Sequence, residues 1–315
     1  TGSRPFLDEE PGNDWAKTLE RMASRRRLGV GPSAMNQLPK DCPAGLEQVL
    51  LMCLAPEAED RFATASQLAR QLELCLQPRA QQLLRPPSGG WRGWARRYAI
   101  VALMIAGLTP NLIATGLNLW YNIPKIFAGY GKTAWDVFSD PLVIAVNTIF
   151  YSLAIAIVLP IVWPLLMAVR RAALGTLSEA DRQPNVRNRC FWLADLTAIV
   201  GGIEWALSGL VYPVSLSHET GTGREMVALF AHFLASQILC GLIASTLAFF
   251  FVSFLAMRVF YPALFEQEVD ETATVSRLQS LERRSWLYFG LAVAVVPIAL
   301  VVMVLIHALR GPESE

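Results

Sequence analysis

The chain of 315 residues is 53% hydrophobic and only 17% charged, with a mean hydropathy of +0.37; this excludes an ordinary soluble domain of its length and points to a membrane protein. A formal net charge of +1 leaves no overall basic excess, so no nucleic-acid partner is expected. The five cysteines form no CxxC pair and read as reduced thiols. His218-Glu219 lacks the second histidine of an HExxH zinc site, residue 222 being Thr, and no cofactor or metal is expected in the chain itself.

Three short amphipathic helices are predicted in the first quarter. Asp14 caps the first, which carries Trp15, Leu19 and Met22 on one face and Arg25, Arg26 and Arg27 in its last turn, before Gly29, Gly31 and Pro32 end it. Leu46, Val49, Leu50, Cys53 and Leu54 keep helical spacing in the second. Thr64-Ala65-Ser66-Gln67 has the form of a capping box for the third, whose stripe is Ala65, Leu68, Ala69, Leu72 and Leu76, before Pro78. Three such stripes make a thin core, so further protein is expected over their faces.

Two stretches of this quarter, Thr1-Gly2-Ser3-Arg4-Pro5-Phe6 and Cys53-Leu54-Ala55-Pro56-Glu57-Ala58-Glu59-Asp60-Arg61-Phe62, followed by Ala65 and Leu68, resemble the closing helices of a bacterial, eukaryotic-like serine/threonine protein kinase C-lobe. The resemblance covers residues 1 to about 76, within an expected C-lobe remnant over 1–78. It implies that Arg61, with Phe62 beside it, is the family's buried arginine, whose glutamate partner at the end of the activation segment would precede Thr1. Where the family usually has a proline three residues before this arginine, the chain has Ala58, with Pro56 two places earlier. It contains no glycine-rich loop, V-A-I-K lysine, HRD or DFG. Because it opens at Thr1 rather than Met, the expectation is an N-terminally truncated, catalytically inactive fragment of a parent that uses ATP and Mg on protein substrates. Arg61, deprived of its glutamate, is expected to turn to solvent, since an unpaired buried guanidinium costs about 3 to 5 kcal/mol. On the residues alone, the rival is a generic small helical domain.

Pro78, Pro86, Pro87, Gly89 and Gly90 mark a linker, and Trp91, Arg92, Trp94, Arg96, Arg97 and Tyr98 an interfacial anchor, together residues 79–97. A transmembrane helical domain over 98–309 follows, with five spans predicted at 98–119, 142–169, 191–216, 226–257 and 286–309 and a tail at 310–315. The fold class is therefore all-α, partial kinase C-lobe helices followed by a polytopic bundle. Arg170, Arg171, Arg182, Arg187, Arg189, Arg258, Arg277, Arg283 and Arg284 fall in alternate loops, against Lys125, Lys132 and Arg224 in the others. That bias places the N-terminal part in the cytoplasm and the C-terminus outside a bacterial inner membrane. Glu266 to Arg284 reads as a helical surface connector, with Val269, Ala273, Leu278 and Leu281 partly to one side, and the loop Ile123 to Asp140, with Phe127, Tyr130, Trp135 and Phe138, as interfacial packing.

Polar groups at mid-membrane depth carry the one functional signal of this half. Asp195 and Glu204, nine residues apart, face opposite sides of one helix and are not a paired site; Asp195 is expected to snorkel. Glu204, Gln237 and Asn111 form a candidate intramembrane cluster in which a protonated Glu204 would hydrogen-bond Gln237. It reads either as a sensing pocket or as a structural interhelical bond of about 0.6 kcal/mol. Ala198, Gly202 and Ala206 predict close helix approach. The leading expectation is a membrane-bound protein kinase, partnered by the lipid bilayer and by other copies of itself. The alternatives are a transporter or channel subunit and a non-catalytic scaffold.

Overall fold

In a computed structural model, described over residues 14–31, 45–77, 90–125, 140–216, 224–265 and 271–310 with positions 34, 38–39, 41–43 and 136 between them, every regular element is helical. The chain divides into two compact units, Thr1–Pro87 and Ser88–Glu315.

The first unit contains α1 (Trp15–Arg27), α2 (Leu46–Cys53) and α3 (Ala65–Cys75), the three helices expected. Asp14 Oδ1 accepts from the Lys17 amide at 3.3 Å, and Gly29 ends α1 at a φ of 77° that a residue with a Cβ adopts with strain. Thr64 Oγ1 accepts from the Gln67 amide at 3.2 Å, while Gln67 Oε1 accepts from the Ala63 amide at 3.0 Å, one residue before a strict capping box. Helices α2 and α3 pack together, burying Val49 and Cys75. Their outer stripes and that of α1 stay open: Trp15 is 61% exposed, Leu19 49%, Leu72 41% and Leu76 75%. The turn Thr1 to Phe6 lies outside the described residues.

The second unit begins with α4 (Gly90–Arg97), the expected anchor, which buries Ala95 against the bundle and stacks Trp91 on Phe254 at 5.9 Å. Five helices long and apolar enough to cross a membrane follow: α5 (Ala99–Lys125), α6 (Pro141–Leu174), α7 (Leu193–Leu216), α8 (Arg224–Leu255) and α9 (Glu271–Arg310). The expected connector is helical but not separate from the last span. From Glu271 onward it belongs to α9, because no Gly or Pro interrupts the residues before Gly290, and at about 60 Å the helix exceeds a hydrocarbon core of about 30 Å. The aromatic loop residues Phe127, Tyr130, Trp135 and Phe138 lie outside the described residues.

Helix α8 is central, with 44% of its most apolar stretch buried, and packs on α5, α7 and α9. Its contact with α7 is the most extensive in the bundle and is made by missing side chains. A Cβ added at Gly241 would stand 2.6 Å from Trp205 Cβ, one at Gly209 2.9 Å from Gln237 Cβ, and one at Gly202 2.7 Å from Ser245 Oγ. The small-residue stripe expected on the third span is therefore a packing seam, extended by Gly209 and by Gly241 on the partner helix.

The bundle has two unlike halves. At the arginine-bearing end, Val162, Leu165, Leu166, Val169, Phe249 and Phe260 are fully enclosed, Tyr288 stacks on Phe249, and the turn directly after α8 widens to π geometry at Ala256–Phe260. Ion pairs tie this end together. Arg171 Nε bonds Asp181 at 2.7 Å and its Nη2 bonds the other oxygen, while Asp181 also accepts from the Ser178 amide and hydroxyl. Asp195 does not snorkel. It is ion-paired with Arg284, whose guanidinium also donates to the Phe191 carbonyl at 2.9 Å, because the long α9 carries that arginine back beside the start of α7.

Gly241→Ala is predicted to lower unfolding stability in detergent by about 1 to 3 kcal/mol through overpacking, whereas Gly116→Ala, with open space around the added methyl, leaves it nearly unchanged. The Arg171 bonds hold the Asp181 carboxyl well below the usual carboxylate range. The depressed value means that this contribution is fully present above about pH 4, the unfolded value, and is lost as pH falls toward the folded one. Thermal unfolding of Asp181→Asn is therefore expected to show a loss of about 1 to 3 kcal/mol at neutral pH and a gap to the parent protein that narrows in acid.

Candidate functional site

Arg61 follows the 3-10 turn Ala58–Asp60 in extended backbone. Its Nε donates to the Ala55 carbonyl at 2.7 Å and its Nη2 to the Pro56 carbonyl at 3.0 Å, so it secures the chain just past α2. The side chain is exposed, as expected, and among the described residues no carboxylate pairs with it. Phe62 is half-buried.

The membrane site is built from polar residues at three- or four-residue spacing on facing helices, the separations that align side chains along one helical face. Helix α5 presents Asn111, Thr115, Asn118 and Asn122; α6 presents Asn147 and Tyr151; α7 presents Glu204 and Ser208; α8 presents His232, Ser236 and Cys240, with Gln237 beside them. Asn111, Tyr151 and Glu204 each lie about 15 to 18 Å from the start of their helix, close to the bilayer centre.

The structure brings Glu204, Gln237 and Asn111 to one cavity of about 120 Å³, walled also by Asn118, Tyr151 and Trp205. The expected Glu204 to Gln237 bond is not the one formed. Asn111 takes a different partner, its Oδ1 accepting from Trp205 Nε1 at 2.8 Å and its Nδ2 donating to the Gly107 carbonyl at 2.8 Å, beside the break that Pro110 makes in α5. Glu204 Oε1 and Gln237 Oε1 are both buried without a hydrogen-bond partner. Neither oxygen meets a donor in this arrangement, although the cavity wall carries the hydroxyls of Tyr151 and Ser208.

Glu204, Asn111 and Tyr151 also border a second cavity of about 110 Å³ on the arginine side, walled mainly by Ile100, Leu103, Val158 and Val162. Glu204 thus stands between a polar chamber and an apolar one. Beyond the apolar chamber lies the closed core of Leu165, Leu166 and Val169.

A second polar group was missed by sequence reasoning. Asn122 Nδ2 donates to Ser236 Oγ at 3.2 Å, Asn118 Nδ2 lies 3.5 Å from the same oxygen, and Asn122 Oδ1 is 3.3 Å from His232 Nε2, whose ring stacks on Tyr121 at 5.4 Å. The signal was present as the run Asn111, Thr115, Asn118, Asn122, a helical stripe in an otherwise apolar span.

Asn111→Leu is predicted to strand the Trp205 indole N–H and lower unfolding stability by about 1 to 2 kcal/mol, with a change in tryptophan emission that Leu112→Ala on the exposed face does not produce. Comparison with models of protein families, with curated proteins and with solved structures finds no match for this chain.

Proposed function

We propose that this chain is part of a membrane-bound bacterial serine/threonine protein kinase, in which the first unit closes the C-lobe and the second anchors the enzyme and holds a small ligand at Glu204. The observation that carries the reading is Arg61, which by the resemblance stands for the family's arginine yet is exposed, its bonds among the described residues going to the carbonyls of Ala55 and Pro56. The open apolar residues Trp15, Leu19, Leu72 and Leu76 support it as surfaces shaped to rest on more protein.

In this reading the parent transfers the ATP γ-phosphoryl group to a protein hydroxyl. No group of three His, Cys, Asp or Glu that could hold Mg converges among the described residues, and no step of the transfer is assigned to this chain. The arginine distribution favours a cytoplasmic first unit, a C-terminus outside and an inner-membrane location.

The cavity pair raises a transporter or channel as the second reading. Conduction requires a polar route through the bundle. The apolar chamber and the enclosed core beyond Glu204 favour a ligand sensor or anchor over a conduit.

The test is expression of the native gene with its coding sequence upstream of Thr1, followed by incubation with ATP labelled at the γ position and Mg. Label on Ser or Thr of the protein or of a general acceptor is expected, with activity reduced in Arg61→Ala and a changed response to added ligands in Glu204→Gln. An upstream sequence without kinase motifs and no incorporated label would overturn the assignment.

A further inference from the structure

A cleft of about 580 Å³ opens at the arginine-bearing end of the bundle, outside the Glu204 site. Three arginines from different parts of the chain line it: Arg189 after the short helix Pro184–Asn188, and Arg277 and Arg284 on α9. Seven residues apart, Arg277 and Arg284 share one face of α9, about 10 Å apart along its axis. Asn185, Asn188 and Trp192 complete the lining that bears on ligand choice.

The charge in this cleft is unbalanced. Asp195 neutralises Arg284. Arg189 donates to the Ile161 carbonyl, a neutral group, and Arg277 has no hydrogen-bond or ion-pair partner among the described residues. Among the described residues no carboxylate lines the cleft, so within them the guanidiniums of Arg189 and Arg277 are left without a counter-charge. Its depth follows from its neighbours. The apolar run of α9 begins at Trp286, which is 67% exposed, and Trp91 and Trp94 stand exposed at the same end. Exposed tryptophans mark the headgroup level of a bilayer.

Guanidiniums with amide donors select an oxyanion with several acceptor oxygens. At the headgroup level, between helices, that anion is the phosphate of a lipid. We propose that the cleft holds the phosphodiester headgroup of an anionic phospholipid, engaged by Arg189, Arg277 and the amides of Asn185 and Asn188. The site does not depend on the kinase assignment; it requires only that the five helices lie in a membrane.

The test uses the full chain in nanodiscs of phosphatidylcholine, with or without phosphatidylglycerol, and reads thermal unfolding and lipid retained in native mass spectrometry. Phosphatidylglycerol is expected to raise the unfolding temperature and remain bound, while inorganic phosphate added to phosphatidylcholine discs does neither. Arg277→Gln should weaken that retention about fivefold, the effect of one arginine at an anionic surface, and Arg283→Gln, exposed on the same helix and absent from the cleft, should not. Four results would each overturn the proposal: stabilisation by inorganic phosphate alone, equal retention of phosphatidylcholine, equal losses in the two variants, or an Arg277→Gln loss of stability in pure phosphatidylcholine, which would assign that arginine to the chain's own acids at Glu266, Glu268 and Asp270.

Discussion

Hydrocarbon offers no hydrophobic drive to bring helices together, so α7 and α8 associate through close backbone contact, and Gly202, Gly209 and Gly241 are where that contact is made. The seam determines what else the bundle can do. It sets Gln237 against Gly209 and Trp205 against Gly241, which fixes the polar face of α7 beside the polar face of α8. Once those faces are locked, Asn111 on α5 has one well-placed donor, Trp205, and Glu204 is left on the wall of a chamber rather than in lipid.

The contrast between the two halves follows from the same economy of polar groups. At the arginine end, ionic groups pair with each other, Arg171 with Asp181 and Arg284 with Asp195, around a core from which water is excluded. In the other half, amides and hydroxyls surround the single carboxyl of Glu204, and the helices do not close over them completely. A buried acceptor without a donor is expensive, and such groups mark places where something else is to be bound. The Glu204 chamber and the arginine cleft therefore differ in kind: the first holds two unpartnered oxygens and the second, among the described residues, guanidiniums without a carboxylate.

Much of this was legible in the chain. Span number and position follow from long apolar runs, and the caps at Asp14 and Thr64 follow from local hydrogen bonding that needs no tertiary information. Convergence of Glu204, Gln237 and Asn111 was readable because intramembrane polar residues must face inward. Their pairing was not. Trp205 supplies the donor for Asn111, and a tryptophan in an apolar span gives no sign from sequence that its N–H points inward. Asp195 was misread because its partner, Arg284, is 89 residues away and comes within reach only when α9 runs unbroken through the presumed connector.

The seam between α7 and α8 can be measured directly. In a chain whose native cysteines are replaced, Gly202→Cys with Ser245→Cys would place the two Cβ atoms near 3.8 Å, the separation a disulfide favours. Mild oxidation in membranes should join them, so that after cleavage at a protease site engineered between residues 217 and 223 the halves stay linked until reduced. Cysteines at Ile203, on the exposed face, and Ser245 should not link. Free halves from the first pair, or equal linkage from both, would contradict the account.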